Sequence, residues 1–218
     1  MSKYFIAVAG NVGVGKSTLT GLLSREMGWQ AFYEAVDDNP YLADFYRDMR
    51  AWSFHSQMFF LSRRLRHHCQ LSRQPNTVIQ DRTVYEDAEV FARNLYQQGY
   101  FSERDYACYR ELYETVRDLL PPPTLVIYLR APVETLLERI ASRGRDFERR
   151  ISPEYLQQLN ALYDDWIERF SLCPVLTIPS DRLDFAHKSE HMQLIVARIT
   201  DKLRGKEVVT FDDLEARG

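Results

Sequence analysis

The sequence has few cysteines, no long apolar run and little excess charge of either sign. It contains three cysteines and no Cys-x-x-Cys pair, which excludes a disulfide framework and predicts a reducing, cytoplasmic location. Tyr4–Ala9 is shorter than a signal-peptide core, and no stretch approaches the roughly 18 apolar residues of a membrane span. The formal net charge is −3 and the pI is about 6.0. We therefore expect neither a membrane nor a nucleic acid as partner.

Five short apolar segments, separated by segments of helical periodicity, predict an α/β fold. The chain has 218 residues and a mass of 25.7 kDa, which suits one domain. Segments rich in Val, Ile and Leu are typical of strands buried on both faces of a parallel sheet. We therefore expect a five-stranded parallel sheet with helices on both faces. The predicted strands are Tyr4–Ala9, Gln30–Ala35, Thr77–Gln80, Thr124–Leu129 and Pro174–Ile178.

The segments between the predicted strands carry apolar residues at the three- and four-residue spacing of amphipathic helices. The predicted helices are Ser17–Met27, Trp52–Leu65, Val84–Tyr96, Arg104–Leu119, Val133–Ser142, Pro153–Phe170 and His187–Leu203. We expect residues 1–204 to form a single domain and the polar residues 205–218 to form a C-terminal tail.

A phosphate-binding motif follows the first predicted strand. Gly10 to Ser17 match the Walker A pattern Gly-x4-Gly-Lys-Ser. Its glycines let backbone N–H groups surround phosphate oxygens, and the next helix directs its positive end at them. Lys16 is expected to bind the β- and γ-phosphates, and the Ser17 hydroxyl to bind Mg²⁺. The motif thus predicts ATP and Mg²⁺ at a loop formed by Gly10, Asn11, Val12, Gly13, Val14, Gly15, Lys16, Ser17 and Thr18.

Charged residues follow two other predicted strands. Ligands of open parallel sheets bind beyond the carboxyl ends of the strands, where Glu34, Asp81 and Arg82 are expected. One carboxylate can serve the metal ion and the other can act as base for an attacking hydroxyl. Asp81 resembles a metal-side carboxylate, which favours Glu34 as the base, and Arg82 can direct a carboxylate or the transferring phosphate.

An arginine-rich turn is predicted at the end of the helix Val133–Ser142. Helical spacing places Arg139 and Arg143 on one face, and Gly144 ends the helix before Arg145. Such a turn can close over ATP and stabilise charge on the γ-phosphate.

Motifs of other nucleotide-binding classes are missing from the sequence. It has neither the guanine-reading Asn-Lys-x-Asp nor the Asp-x-x-Gly of a GTPase switch, and Asp81 is followed by arginine rather than by the glutamate of many motors. These absences favour a small-molecule kinase.

From about Tyr4 to Phe185 the chain resembles the deoxyribonucleoside kinases, and in particular their bacterial deoxyadenosine, deoxycytidine and deoxyguanosine kinases. The resemblance implies transfer of the ATP γ-phosphate to the 5′-hydroxyl of a deoxynucleoside by a P-loop kinase fold with an arginine-rich lid, and a homodimer. The motifs that carry it are the loop 10–18, Glu34-Ala-Val, Asn39-Pro-Tyr-Leu, Trp52-Ser-Phe-His-Ser-Gln57, Asp81-Arg82-Thr-Val-Tyr-Glu-Asp87 and Arg143-Gly-Arg-Asp-Phe-Glu148.

The resemblance also implies roles for individual residues. Glu34 matches the carboxylate beside the 5′-hydroxyl, and Asp81 matches an acidic residue described either as proton acceptor or as metal-side carboxylate. Arg82 matches the arginine that holds the base and the 5′-oxygen. The remaining matches are Tyr46 and Glu148 for the 3′-hydroxyl, Gln57 and Phe91 for the base, Arg139, Arg143 and Arg145 for the lid, and Asp184 and Phe185 for the adenine of ATP.

Arg64 and Asp87 match a pair that this family uses with purine or cytosine substrates. Arginine can donate to purine N7 or O6, and aspartate can accept from an exocyclic amine. We expect deoxyadenosine as the substrate, with deoxycytidine and deoxyguanosine close behind. Two alternatives stay open at this point: a thymidylate-type nucleoside-monophosphate kinase and a nucleotide-binding regulator without phosphoryl transfer.

Overall fold

A five-stranded parallel sheet forms the centre of the computed structural model, which describes residues 3–33, 39–145 and 151–204. The strand order is β2-β3-β1-β4-β5. Val8 in the central strand is level with Asp81 on one side and with Ile127 on the other. The strands are β1 (Phe5–Gly10), β2 (Gln30–Phe32), β3 (Val78–Asp81), β4 (Leu125–Arg130) and β5 (Val175–Pro179).

Helices connect the strands and cover the sheet. The described α-helices are α1 (Lys16–Met27), α2 (Leu42–Arg47), α3 (Met49–Ser72), α4 (Val84–Glu86), α5 (Arg93–Gln97), α6 (Glu103–Leu119), α7 (Val133–Arg143), α8 (Pro153–Arg169) and α9 (Ser189–Arg204). A π-helical segment, Asp87–Ala92, joins α4 to α5 without a break. None of the helices in the described ranges is long and apolar enough to cross a membrane.

Alternate residues of β1 enter two separate cores, as the period of two in a strand requires. Ile6 and Val8 pack with side chains of α1, α7 and α9. Ala7 and Ala9 pack on the opposite face with side chains of α3, α6 and α8. The small alanines leave room there for the larger aromatic side chains of this second core. Helices on both faces confirm the predicted α/β architecture.

The predicted elements differ from the observed ones mainly at their ends. Each strand starts within one residue of its prediction, but β2 ends at Phe32, and residues 34 and 35 lie outside the described ranges. Helix α3 extends beyond the predicted Trp52–Leu65 at both ends, because Asp48 caps its start by accepting from the Ala51 N–H at 3.1 Å. The predicted continuous helix Val84–Tyr96 contains the π-helical segment. The short helix α2 was not predicted.

Candidate active site

The phosphate loop leaves the central strand at Gly10 and enters α1 at Lys16. Gly10 has φ 142, and a Cβ there would lie 2.4 Å from the carbonyl oxygen of Leu129, so only glycine fits. Helix α1 has no acidic residue in its own first turn, and its positive end faces the loop. The Lys16 ammonium donates to the loop carbonyls of Gly10 and Asn11 at 2.8 and 3.0 Å.

Ser17 and Asp81 meet at the junction of α1 and β3. The Ser17 hydroxyl donates to Asp81 Oδ2 at 2.5 Å. Asp81 is buried, and its Oδ1 has no hydrogen-bond partner within the described part of the chain. A buried, unsatisfied carboxylate oxygen beside a hydroxyl is a set of hard oxygen donors suited to Mg²⁺. The geometry therefore fits the predicted metal-side role of Asp81.

Hydrogen bonds with helices α7 and α8 hold the phosphate loop in place. Asn11 donates through Nδ2 to the Leu156 carbonyl and to Asn160 Oδ1 on α8, both at 2.9 Å. Arg139 on α7 donates to the Val14 carbonyl at 3.0 Å and to the Ser180 carbonyl at 2.7 Å. Arg139, expected in the lid, thus contacts the backbone of the phosphate loop.

A cleft of about 270 Å³ opens beside the loop. Phe185 covers Gly15, since a Cβ on that glycine would lie 3.3 Å from the Phe185 ring. Asp184 accepts from Nδ1 of His187 at 2.9 Å, and this bond lowers the pKa of Asp184. Arg143 lines the same cleft. The structure therefore places Asp184, Phe185 and Arg143 next to the phosphate loop.

Arg82 begins the opposite half of the site. Its φ of 68 is the single positive value at a non-glycine residue among the described residues. The Arg82 N–H donates to the Val8 carbonyl at 3.0 Å. Its guanidinium carbon lies 3.7 Å from the ring centroid of Phe91, within the range of a cation–π contact. Non-glycine residues in this region of backbone space concentrate at functional sites.

Asp87 lies between two arginines, Arg82 and the buried Arg64 on α3. Arg64 Nε lies 2.7 Å from Asp87 Oδ2, and Arg82 Nε lies 3.5 Å from Asp87 Oδ1. Gln57 lies two turns before Arg64 on the buried side of α3. The structure therefore brings together Arg64, Arg82, Asp87 and Phe91, with Gln57 on the same helix face.

Tyr46 lies on α2 and is half exposed. Tyr155 is a neighbour of both Tyr46 and Arg82, and burial raises the pKa of Tyr155 to about 12. Tyr155 was not predicted as a site residue. Glu34 and Glu148 lie outside the described residues, and Arg145 is the last residue before the second gap.

Glu86 is a fully buried carboxylate that the sequence analysis did not single out. It accepts hydrogen bonds from the N–H groups of Gly10 and Thr83 and from the Tyr163 hydroxyl. Burial raises the pKa of Glu86, whereas the positive charges of Lys16 and Arg82 act in the opposite direction. Thr83 and Glu86 form a capping box, and the spacing Thr-x-x-Glu was the signal that could have identified it.

The residues described above lie along nearly the whole chain, and so does the match to a known family. The family model for deoxynucleoside kinases matches residues 6–204. The chain belongs to the deoxynucleoside kinase family. As a member of this family it is a nucleotide-dependent phosphotransferase, and neither the thymidylate-type kinase nor the regulator is favoured.

Individual relatives of this kinase are similar over their full length. It is 37% identical over 204 residues to a deoxyadenosine/deoxycytidine kinase of Bacillus subtilis, covering 93% of this chain and 94% of the relative. It is 34% identical to a deoxyguanosine kinase of the same organism, covering 90% and 96%. The solved deoxyadenosine kinase of M. mycoides with bound dATP superposes with a TM-score of 0.79 at 31% identity, covering 90% of this chain and all 100% of that one.

Proposed function

We propose that this kinase transfers the γ-phosphoryl group of ATP to the 5′-hydroxyl of deoxyadenosine, and that it accepts deoxycytidine and deoxyguanosine. The observation that carries the proposal is the buried Arg64–Asp87 pair beside Arg82. The Asp87 carboxylate can accept from an exocyclic amine, which adenine, cytosine and guanine possess and thymine lacks. Relatives named for these three bases support the same substrate range.

The Ser17–Asp81 contact supports a division of roles between the two carboxylates. Asp81 is engaged by the Ser17 hydroxyl, and these two residues would hold Mg²⁺, which supplies charge neutralisation on the phosphates when bound. Glu34 is then the base that accepts the proton of the 5′-hydroxyl. Arg82 holds the acceptor oxygen, and Lys16 stabilises the charge on the transferring phosphoryl group.

The remaining contacts to both substrates are proposed from the predicted residues. Tyr46 and Glu148 bind the 3′-hydroxyl, which disfavours a sugar without that group because two polar partners would be left unpaired. Gln57 pairs with the base edge and Phe91 packs on the base. Arg143 and Arg145 close over the phosphates, Arg139 supports the loop beneath them, and Asp184 and Phe185 contact the adenine of ATP. The homodimer, the cytoplasmic location, the single domain 1–204 and the tail 205–218 stay predictions.

The test is a phosphoryl-transfer assay with Mg-ATP on the four deoxynucleosides, adenosine and dTMP. We expect the highest kcat/KM on deoxyadenosine, lower values on deoxycytidine and deoxyguanosine, and little turnover of thymidine. Turnover of dTMP alone would show that the acceptor site had been wrongly assigned. Nucleotide binding without transfer to any acceptor would contradict the proposal as a whole.

A further inference from the structure

Glu86 is placed between the two halves of the site. Its Oε1 accepts from the Gly10 N–H at 3.2 Å and from the Tyr163 hydroxyl at 2.8 Å. Its Oε2 accepts from the Thr83 N–H at 2.8 Å and from the Thr83 hydroxyl at 3.3 Å. Gly10 is the first residue of the phosphate loop, and Thr83 directly follows Arg82. One carboxylate therefore joins the backbone that holds the phosphate donor to the backbone that holds the acceptor.

The backbone next to Thr83 would change if this bond were lost. Arg82 has φ 68, a value that an L-residue adopts only when its surroundings enforce it. The bonds from the Arg82 N–H to the Val8 carbonyl and from the Thr83 N–H to Glu86 fix the turn on both sides. Without Glu86, one of these two constraints is missing, and the turn that carries Arg82 can shift relative to the phosphate loop while the Arg82 side chain keeps its contacts with Asp87 and Phe91.

Phosphoryl transfer makes the distance between the two halves matter, because the attacking and leaving oxygens must stand in line with the phosphorus. A displacement of about 1 Å between reacting groups can cost on the order of 100-fold in rate. In the function proposed above, however, each substrate is bound by residues of its own half. A change in the connection between the halves therefore acts on the rate of transfer more than on binding.

We propose that Glu86 is a positioning residue for phosphoryl transfer: it sets the phosphate loop and the Arg82 turn at one fixed separation through bonds to the Gly10 and Thr83 amides. The inference rests on the phosphoryl transfer proposed above. Glu86 contacts neither substrate in this role and acts through the two backbone segments. It is distinct from Asp81 and Glu34, which serve the metal ion and the acceptor hydroxyl.

Substitution Glu86→Gln tests the proposal with little change in volume. Whichever way the amide turns, its NH₂ group meets one of the two backbone N–H groups, so one tie is lost. We expect kcat to fall on the order of 100-fold, while KM for ATP and for deoxyadenosine each stay within about threefold. Glu86→Asp keeps the charge but is one methylene too short to reach both amides, and the same split between kcat and KM is expected.

Tyr163→Phe is the matched control. It removes one donor to the Glu86 carboxylate and leaves both backbone ties in place. We expect its kcat to stay within about threefold of the wild-type value, which separates the loss of a buried donor from the loss of a tie.

Amide hydrogen exchange on the wild-type protein tests the geometry without any substitution. Because one side chain holds both amides, the Gly10 and Thr83 N–H groups should be protected to a similar degree and should lose protection together in Glu86→Asp. This measurement is independent of activity. A wild-type protein inactive on every acceptor would contradict the proposed function, while the exchange data would still test the connection.

Four results would overturn the proposal. They are a kcat of folded Glu86→Gln within threefold of wild type, a fall in activity carried entirely by the KM for ATP, rapid exchange at one of the two amides, and unfolding of both Glu86 variants at 25 °C. The last would assign Glu86 to stability rather than to positioning.

Discussion

Arg82 is the residue at which backbone strain and charge coincide. A left-handed conformation costs a non-glycine residue on the order of 1–2 kcal/mol. The contacts of its guanidinium with Asp87 and Phe91, and of its N–H with Val8, stabilise that conformation. Arginine presents a planar group that stacks on a ring and bonds along its edge, whereas lysine presents a single point charge. Replacing Arg82 by lysine would therefore keep the charge but not the function of this side chain.

Glu34→Gln is expected to keep ATP binding and to lower kcat by at least about 100-fold, the lower end of the contribution of a catalytic base. Asp81→Asn serves as comparison, because the metal-side role predicts that its activity depends more strongly on Mg²⁺ concentration. Steady-state kinetics across a Mg²⁺ titration measures both. A Glu34→Gln variant with near wild-type kcat would remove Glu34 as the base.

Arg64→Ala combined with Asp87→Ala is expected to shift substrate preference toward pyrimidines, since the two charged groups proposed to read the base edge are removed. Each single substitution leaves the charge of the other partner buried without its counter-charge, which costs about 3–5 kcal/mol of stability, and the double variant is expected to lose less than the sum of the two single losses.

The exposed Arg169–Asp165 pair is the control for stability, and its removal is expected to cost less than about 1 kcal/mol. Urea unfolding and kcat/KM ratios across the four deoxynucleosides measure these effects, and unchanged ratios would contradict the assignment.

The residues that could be predicted from the sequence are those that belong to motifs. The phosphate loop was predicted because its chemistry needs particular residue types at particular spacings, and Asp81-Arg82 because it follows a predicted strand, whereas the Arg64–Asp87 pair came from the family resemblance. Tyr163 was not predicted, because its bond to Glu86 joins positions 77 residues apart. The Thr-x-x-Glu spacing indicates the local cap formed by Glu86, but it does not reveal the bond from the Gly10 N–H.

At the scale of elements, the π-helical segment decides how the acceptor half is built. Asp87 and Phe91 both belong to it, and both contact the Arg82 side chain. A π-helix widens the turn and rotates the following residues relative to an α-helix, and such turns are frequent at functional sites. The wide turn thus brings a carboxylate and an aromatic ring to one guanidinium.

Two serine caps allow a matched test of α8 as a support of the phosphate loop. Ser152 caps α8 by accepting from the Tyr155 N–H at 3.2 Å, and Ser102 caps α6 by accepting from the Asp105 N–H at 3.1 Å. Each change to alanine is expected to cost about 1 kcal/mol of stability in urea unfolding.

Only Ser152→Ala is expected to raise the KM for ATP, by up to about fivefold if the whole of that energy is transmitted. The reason is that Leu156, in the first turn of α8, accepts the Asn11 side-chain N–H. Equal KM values for the two cap variants would show that α8 does not support the loop in this way.

The existence of the strands and most helices could be predicted because apolar periodicity reports burial directly. The π-helical segment could not be predicted, since Val84 to Tyr96 has the apolar spacing of an ordinary helix. Its π geometry depends on tertiary contacts. Helix α2 has six residues and no buried one, so it lacks the apolar stripe on which such a prediction depends.

At the scale of the whole molecule, the strand order places the site. With β1 between β3 and β4, the phosphate loop and the Asp81-Arg82 end of β3 emerge side by side at one edge of the sheet. Periodicity alone does not state which strands are neighbours, so this order could not be read from the sequence. It follows from long-range packing.

The stability of the whole protein should fall on acidification because of His68. The side chain is buried, its Nε2 donates to the Pro121 carbonyl at 2.8 Å, and burial lowers its pKa. Between the folded pKa and the unfolded value of about 6.5, the unfolded chain binds more protons. The stability that the neutral, buried His68 side chain contributes is therefore fully present above about pH 6.5, and it is lost as the pH falls toward the pKa of His68 in the folded protein.

Urea unfolding at several pH values between about 7.5 and 5.5 measures this loss. His68→Gln keeps a donor for the Pro121 carbonyl and cannot ionise, so its stability should depend less on pH. Parallel pH curves for the wild type and His68→Gln would contradict this origin.

Two consecutive carboxylates, Glu86 and Asp87, face different parts of the molecule. Glu86 contacts the phosphate loop, and Asp87 contacts Arg64 and Arg82, which belong to the proposed base-binding group. Selection can therefore act on substrate choice and on chemistry separately, since a substitution around Asp87 leaves the bonds of Glu86 intact. Such modularity gives a lineage of enzymes a short mutational route from one base to another, in keeping with relatives that differ in the bases for which they are named.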